Sequence, residues 1–353
     1  MKKTLIIIPT NDFGGAELLL NAIALELSKN NFVYQTYLFS QETFVLKENL
    51  TITSLSQSNK FTGSFKLISF LFKNNPFDFV ITSQVYLNGF LGILRALKIL
   101  KTDILILRET TPIFRRFVGL KLFSFKLFYT LGYNFSDSII CPTDIIKTDL
   151  LKNCKKAKRW NIRVIPNPIN LETLDNLSND NSYDNHFNNN FIVAAGRLIK
   201  IKGFDILIAA FSFVVQTFPD LHLYILGDGE EKDNLQKQII NLGLESQITL
   251  FGFVKNPIPF FKNAKACVVS SLIEGFPNVL LQMMSQNDRV VSTICAGGIN
   301  EINGLFTCVP GNPNLLAEKI YEALLTKDVS QIRNSFNLYL NKNSLKNYIA
   351  TLL

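Results

Sequence analysis

Short apolar runs, each followed by a stretch long enough for a helix, recur along the chain in two successive series. The first comprises residues 5–8, 32–39, 79–82, 104–107, 138–141 and 163–165, with helix-length segments such as 16–29 and 88–100 between them. The second comprises 191–195, 221–226, 248–251, 266–270 and 289–293. Runs that are apolar on both faces and alternate with helices predict parallel strands covered on both sides. Two such series predict an α/β chain of two Rossmann-like, doubly wound domains. Ligands of these sheets lie outside the carboxyl ends of the strands, so the chemistry is expected there, in a cleft between the domains.

Residues 176–190, NLSNDNSYDNHFNNN, hold almost no aliphatic side chain and read as an exposed linker or a loop after it. The first domain is accordingly placed at 1–170 and the second at 171–335. A C-terminal helix in 336–353, amphipathic over 341–353, is expected to pack back on the first domain. With 47% hydrophobic and 18% charged residues, the chain is no disordered polymer. The apolar run 4–9 is too short for a signal peptide, and no stretch of about 18 apolar residues predicts a spanning helix. Five cysteines, at 141, 154, 267, 295 and 308, are odd in number and scattered without ligand spacing, which points to a reducing, cytosolic setting.

Charge is uneven. Residues 1–168 carry 22 Lys and Arg against 11 Asp and Glu, whereas the rest carries 14 against 17, within a net +8. An anionic partner is therefore expected for the first half. Two segments there, 113–131 and 59–73, mix Phe and Leu with Lys and Arg and contain no acid. Each reads either as a core-packed helix with solvated cations or as a helix for an anionic membrane surface. No nucleic-acid module is recognisable, so nucleic acid is not expected as a partner.

Four glycine-containing segments stand at strand ends. Gly14-Gly15-Ala16-Glu17 follows the first run and opens a helix, but lacks the G-x-G-x-x-G spacing of a dinucleotide site. Gly196-Arg197 through Lys202-Gly203 offers a guanidinium and an ammonium that can clamp a diphosphate. Leu226-Gly227-Asp228-Gly229 is a tight loop or a plain turn. Glu274-Gly275-Phe276-Pro277-Asn278 places a carboxylate before a helix start, where Pro277 suits the first turn; Glu274 alone is equally a structural cap.

Taken in order, these segments resemble the GT-B glycosyltransferases of the large retaining family 4, glycosyl transferases group 1, of the bacterial surface-polysaccharide type. Phe251-Gly252-Phe253-Val254, Val164-Ile165-Pro166-Asn167-Pro168 and Gly297-Gly298 with Glu301 are similar to further family segments. The resemblance implies an acceptor-binding first domain and a nucleotide-sugar-binding second domain. It assigns Arg197 and Lys202 to the donor diphosphate and Glu274 to hydroxyls of the donor sugar. Gly275, Phe276 and Asn278 would supply donors near sugar and phosphate, Val254 and the Gly227 loop would lie by the nucleotide, and Gly14 and Gly15 would let the first domain approach the phosphate.

Two positions depart from the family pattern. Gln282 stands where the second glutamate of a pair is expected, so an amide replaces a carboxylate on the ribose hydroxyls. The region of the usual first-domain histidine reads Leu107-Arg108-Glu109-Thr110, leaving Arg108 or Glu109 as acceptor-side candidates. The only histidines, His186 and His222, read as structural. The resemblance further implies retaining, metal-independent transfer without a cofactor, the nucleotide sugar being a substrate. A hexose or N-acetylhexosamine, UDP-linked, would pass to a polyprenyl-diphosphate-linked saccharide in O-antigen or capsule synthesis, at the inner face of the cell membrane. The alternatives are a non-catalytic nucleotide-sugar-binding subunit or a nucleotide-sugar epimerase of the same fold.

Overall fold

A computed structural model describes residues 1–10, 14–40, 49–180 and 190–353. The chain divides into two compact units, Met1–Pro168 with Leu345–Leu353, and Ile169–Ser344.

Unit 1 runs β1 (Lys3–Thr10), α1 (Gly15–Leu27), β2 (Phe32–Phe39), β3 (Leu50–Ser54), α2 (Lys60–Asn74), β4 (Phe77–Ser83) and α3 (Val85–Ala96). It continues with β5 (Thr102–Arg108), α4 (Ile113–Arg116), α5 (Gly119–Gly132), β6 (Ser138–Cys141), α6 (Asp144–Asn153) and β7 (Ile162–Val164). All pairings are parallel, in the order β3-β2-β1-β4-β5-β6-β7. Alternation along the strands sends Leu5 and Ile7 to one face, under α2, α3 and α5, and Ile6 and Ile8 to the other, under α1.

Unit 2 runs α7 (Leu171–Ser178), β8 (Phe191–Ala195), α8 (Phe204–Thr217), β9 (His222–Leu226), α9 (Lys232–Asn241), β10 (Ile248–Gly252) and α10 (Ile258–Asn263). Then follow β11 (Ala266–Val269), α11 (Asn278–Gln286), β12 (Val290–Thr293), β13 (Phe306–Cys308), α12 (Pro313–Leu325) and α13 (Ser330–Lys342). Its sheet is again parallel, in the order β10-β9-β8-β11-β12-β13. Both orders are those of a doubly wound sheet, which reverses direction between β1 and β4 in unit 1 and between β8 and β11 in unit 2.

The expected α/β class and doubly wound sheets are present. Two strands add to the runs read in the sequence. Both β3 and β13 lie at sheet edges, where one side lacks a neighbour and a continuous apolar run is not required. Segment 113–131 is split at Phe117 and Val118, because Gly119 enters α5 at φ +60°. The C-terminal segment holds two helices; α13 belongs to unit 2, and α14 (Leu345–Leu352) packs on α1 of unit 1 through Leu345, Tyr348 and Leu352. The Asn-rich stretch begins inside α7, and 181–189, with His186, fall outside the described residues. No helix among the described residues is long and apolar enough to cross a membrane.

Candidate functional site

In unit 2 the chain leaves β8 at the point where the sheet reverses, and two hydrogen bonds fasten that exit to the exit of β11. Ser270 Oγ donates to the Lys202 carbonyl at 2.9 Å, and the Leu272 amide donates to the Ile201 carbonyl at 2.8 Å. The approach is so close that Gly203, at φ +62°, could carry no side chain; a Cβ there would lie 2.3 Å from the Ser270 carbonyl oxygen. Stitching the loops brings together two motifs that are 72 residues apart. Lys202 Nζ donates to Glu274 Oε1 at 2.5 Å, and Ser271 Oγ donates to the same oxygen at 3.0 Å. Both charged side chains are 18% exposed, so the pair is shielded yet open to a ligand.

Two further bonds hold the carboxylate loop from β12. The Glu274 amide donates to the Cys295 carbonyl at 2.8 Å, and Thr293 Oγ1 donates to the Ser271 carbonyl at 2.5 Å. Burial, reinforced by the charge of Glu274, pushes the Cys295 thiol up to about 12, so it stays protonated and is no nucleophile at neutral pH. Ser271, Thr293 and Cys295 are supporting residues that single motifs did not reveal. The doubled serine three residues before Glu274 signals Ser271 alone; Thr293 and Cys295 come from the neighbouring strand and its exit and carry no such signal.

Arg197 is exposed and is in none of the ion pairs among the described residues. The Lys202 stem runs beside Gly196, the residue before it, where a Cβ would lie 3.5 Å from Lys202 Cε. The Gly227 loop closes on the same place. Its amide donates to the Gly252 carbonyl at 2.7 Å, and a Cβ on Gly227 would fall 1.9 Å from the Gly196 carbonyl oxygen. Val254, just beyond Gly252, is half-buried against the core that holds Phe260. Pro277 caps α11 one position earlier than expected, and Asn278 opens the helix. Phe276, 8% exposed, packs into the core with Leu280, and Gly275 is buried. Gln282 is half-buried on the first turns of α11. A groove of about 620 Å³ lined by Phe213, Lys237 and Asn241 includes none of these residues.

Gly14 caps α1, and Glu17 folds back so closely that a Cβ on Gly14 would meet its Oε2 at 2.3 Å. Gly15 is exposed. Gln84, after β4, donates to Glu17 Oε1 at 2.6 Å across the point where this sheet reverses. The acceptor-side candidates part company, because successive strand residues face opposite ways. Arg108 turns toward α14, where Nε donates to Tyr348 Oη at 2.7 Å and Nη2 to Asn167 Oδ1 at 3.0 Å.

Glu109 takes the opposite face of the sheet. It is 1% exposed and faces the interior, where it accepts from Tyr133 Oη at 2.5 Å and Tyr129 Oη at 2.8 Å. Burial raises its pKa, against the lowering by those donors, and both tyrosines are held far above their usual range. A raised folded-state pKa stabilises the fold below the unfolded value and loses that contribution as pH rises through the folded one. Glu109→Gln is therefore expected to gain on the wild type as pH rises above about 4.5. Glu109→Leu, leaving the Tyr129 hydroxyl unpaired and Tyr133 with only the bond it accepts from Asn88, should cost about 1–3 kcal/mol. Denaturant unfolding of the three proteins from pH 4 to 9 checks both; parallel curves for wild type and Glu109→Gln would refute the titration.

A sequence model of the family glycosyl transferases group 1 matches residues 189–326. Over 180 residues, half of the chain, the protein is 37% identical to an uncharacterized glycosyltransferase of Methanocaldococcus jannaschii. It is also 31% identical over 179 residues to the N-acetylgalactosamine-N,N'-diacetylbacillosaminyl-diphospho-undecaprenol 4-alpha-N-acetylgalactosaminyltransferase of Campylobacter jejuni. These alignments span about half of each relative, 44% and 47%. Among solved structures, Anabaena HepE in complex with UDP-glucose matches with a TM-score of 0.79 at 19% identity, covering 100% of this chain and 98% of that one. That likeness shows the fold, two Rossmann-like domains of the GT-B type.

Proposed function

Because residues 189–326 match the sequence model of the glycosyl transferases group 1 family, we propose that the protein transfers a hexose or N-acetylhexosamine, with retention, from a UDP-linked donor to a lipid-linked oligosaccharide in bacterial surface-polysaccharide synthesis. The observation that carries this reading is the Lys202–Glu274 pair at the reversal point of the second sheet, on the loop after β8 that also carries Arg197. An ammonium has three donors, and Glu274 takes one of them, which leaves Lys202 able to hold phosphate oxygens alongside the Arg197 fork. Glu274, steadied by Ser271 and Lys202, keeps acceptor capacity for sugar hydroxyls.

In the proposed step the bond from the anomeric carbon to the diphosphate breaks and the acceptor hydroxyl attacks from the same face. Its proton passes to the departing diphosphate oxygen. Negative charge grows on that diphosphate, so fixed cations stabilise the transition state more than the ground state, without a metal or cofactor. Gln282 offers the ribose one neutral acceptor, and Val254 and the Gly227 loop lie by the nucleotide. Gly275, Phe276 and Asn278 supply donors near the sugar.

The lipid-linked acceptor is supported by the diphospho-undecaprenol named for the Campylobacter relative and by the outer faces of α2 and α5. Leu120, Phe123, Leu127 and Leu131 recur at helical spacing and are exposed, as are Phe61, Phe65 and Phe72. No acid stands between Glu109 and Asp137. An apolar stripe flanked by Lys121 and Lys126 suits the anionic inner surface of a cell membrane. Gln282 favours a second reading, a nucleotide-sugar binder without turnover.

Thermal stabilisation by UDP-, GDP- and dTDP-sugars, followed by assay of nucleotide release with a polyprenyl-diphosphate saccharide and anionic vesicles, separates the readings. A UDP-sugar should stabilise the protein and release UDP once acceptor is present. Binding without release would leave the non-catalytic reading, and stabilisation by only GDP- or dTDP-sugars would refute the donor.

A further inference from the structure

At the carboxyl edge of the first sheet, Arg108 is a buried cation without an anionic partner among the described residues. It is 1% exposed; Nε and Nη2 donate to neutral groups, and Nη1 has no hydrogen-bond partner. None of the ion pairs among the described residues includes it. A guanidinium stays charged in any protein setting, and an uncompensated buried charge is strongly unfavourable.

Beside it, Ser83 is the Cα partner of Arg108 across β4 and β5, so both side chains leave the sheet on one face. Ser83 is 0% exposed, and its Oγ is also unpaired. Thr4, Thr36 and Ser138 carry unpaired hydroxyls too, yet none of these is a register partner of another. Glu17, the acid on α1 nearest this edge, is turned to Gln84 and Gly14 and forms no pair with Arg108.

We propose that Arg108 and Ser83 form a subsite for an oxyanion of the acceptor, a phosphate or a carboxylate group. The inference rests on reading unit 1 as the acceptor side. Two N–H groups on Nη1 and one hydroxyl make a donor-dominated set, which suits an oxyanion better than a neutral sugar hydroxyl. Tyr348 and Asn167 orient the guanidinium plane by holding its other two nitrogens. A phosphate would come from the lipid diphosphate, and a carboxylate from an acidic sugar.

Titration calorimetry on the full chain, with UDP saturating so that Arg197 and Lys202 are occupied, tests this with pyrophosphate and with glucuronate as probes. At least one probe should bind the wild type. Arg108→Met should weaken it tenfold or more and Ser83→Ala about threefold, with UDP affinity unchanged in both. Binding of pyrophosphate alone assigns the group to phosphate, and of glucuronate alone to carboxylate. No binding of either probe, or equal binding in wild type and both variants, overturns the subsite. So does a loss of UDP affinity in Arg108→Met, which would give the anion to the donor. Should Arg108→Met fail to fold, Ser83→Ala decides, because its hydroxyl has no bond to lose. If UDP does not bind the wild type, the donor reading fails by itself, and the same comparison without UDP still decides the subsite.

Discussion

Replacing Lys202 by alanine is expected to lower kcat/KM about 10²–10³-fold, roughly 3–4 kcal/mol of transition-state stabilisation, in a protein that stays folded. The ammonium sits where the loops after β8 and β11 are bonded together, and those bonds use the backbone of Ile201 and Lys202. Alanine keeps them. The lost ion pair is partly shielded, and its removal should cost stability about 1 kcal/mol, with Ser271 still donating to Glu274. Lys202→Arg should recover activity in part, since its charge is retained but a planar fork cannot reproduce a point donor. Steady-state kinetics with matched melting curves measure the effect; a Lys202→Ala enzyme with full turnover would remove the phosphate role.

Gly227→Ala should act through the fold. At φ +147° and with a Cβ 1.9 Å from the Gly196 carbonyl oxygen, the new methyl collides with backbone that cannot swing away. The loops after β8 and β9 must separate, which should cost about 3 kcal/mol and lower the melting temperature by about 10 °C. Because the Gly196 loop carries Arg197, donor affinity should fall as well. Calorimetry and a UDP titration measure both; an unchanged melting temperature would mean that the loops are less tightly apposed than the structure shows.

Much of this architecture is legible in the residues alone. Central parallel strands are buried on both faces, so β8 and β6 read as unbroken apolar runs with their true ends. Edge strands escape the same reading. LTITS of β3 is half polar and only half-buried, and β13 is three residues long. Motif order points to Arg197, Lys202 and Glu274, but the bond between Lys202 and Glu274, 72 positions apart, depends on the pairing of β8 with β11. Arg108 and Glu109 show the converse. Adjacent in sequence, they part to opposite faces, one toward the C-terminal helix and the other into a tyrosine cluster, and which face holds which chemistry follows only from the packed helices.

A crystal structure of the protein with UDP tests the donor site most directly. Diphosphate oxygens within hydrogen-bond distance of both the Arg197 guanidinium and Lys202 Nζ, with Glu274 beside the β-phosphate, are the expected result. UDP seated elsewhere, or a diphosphate beyond the reach of both cations, would contradict it.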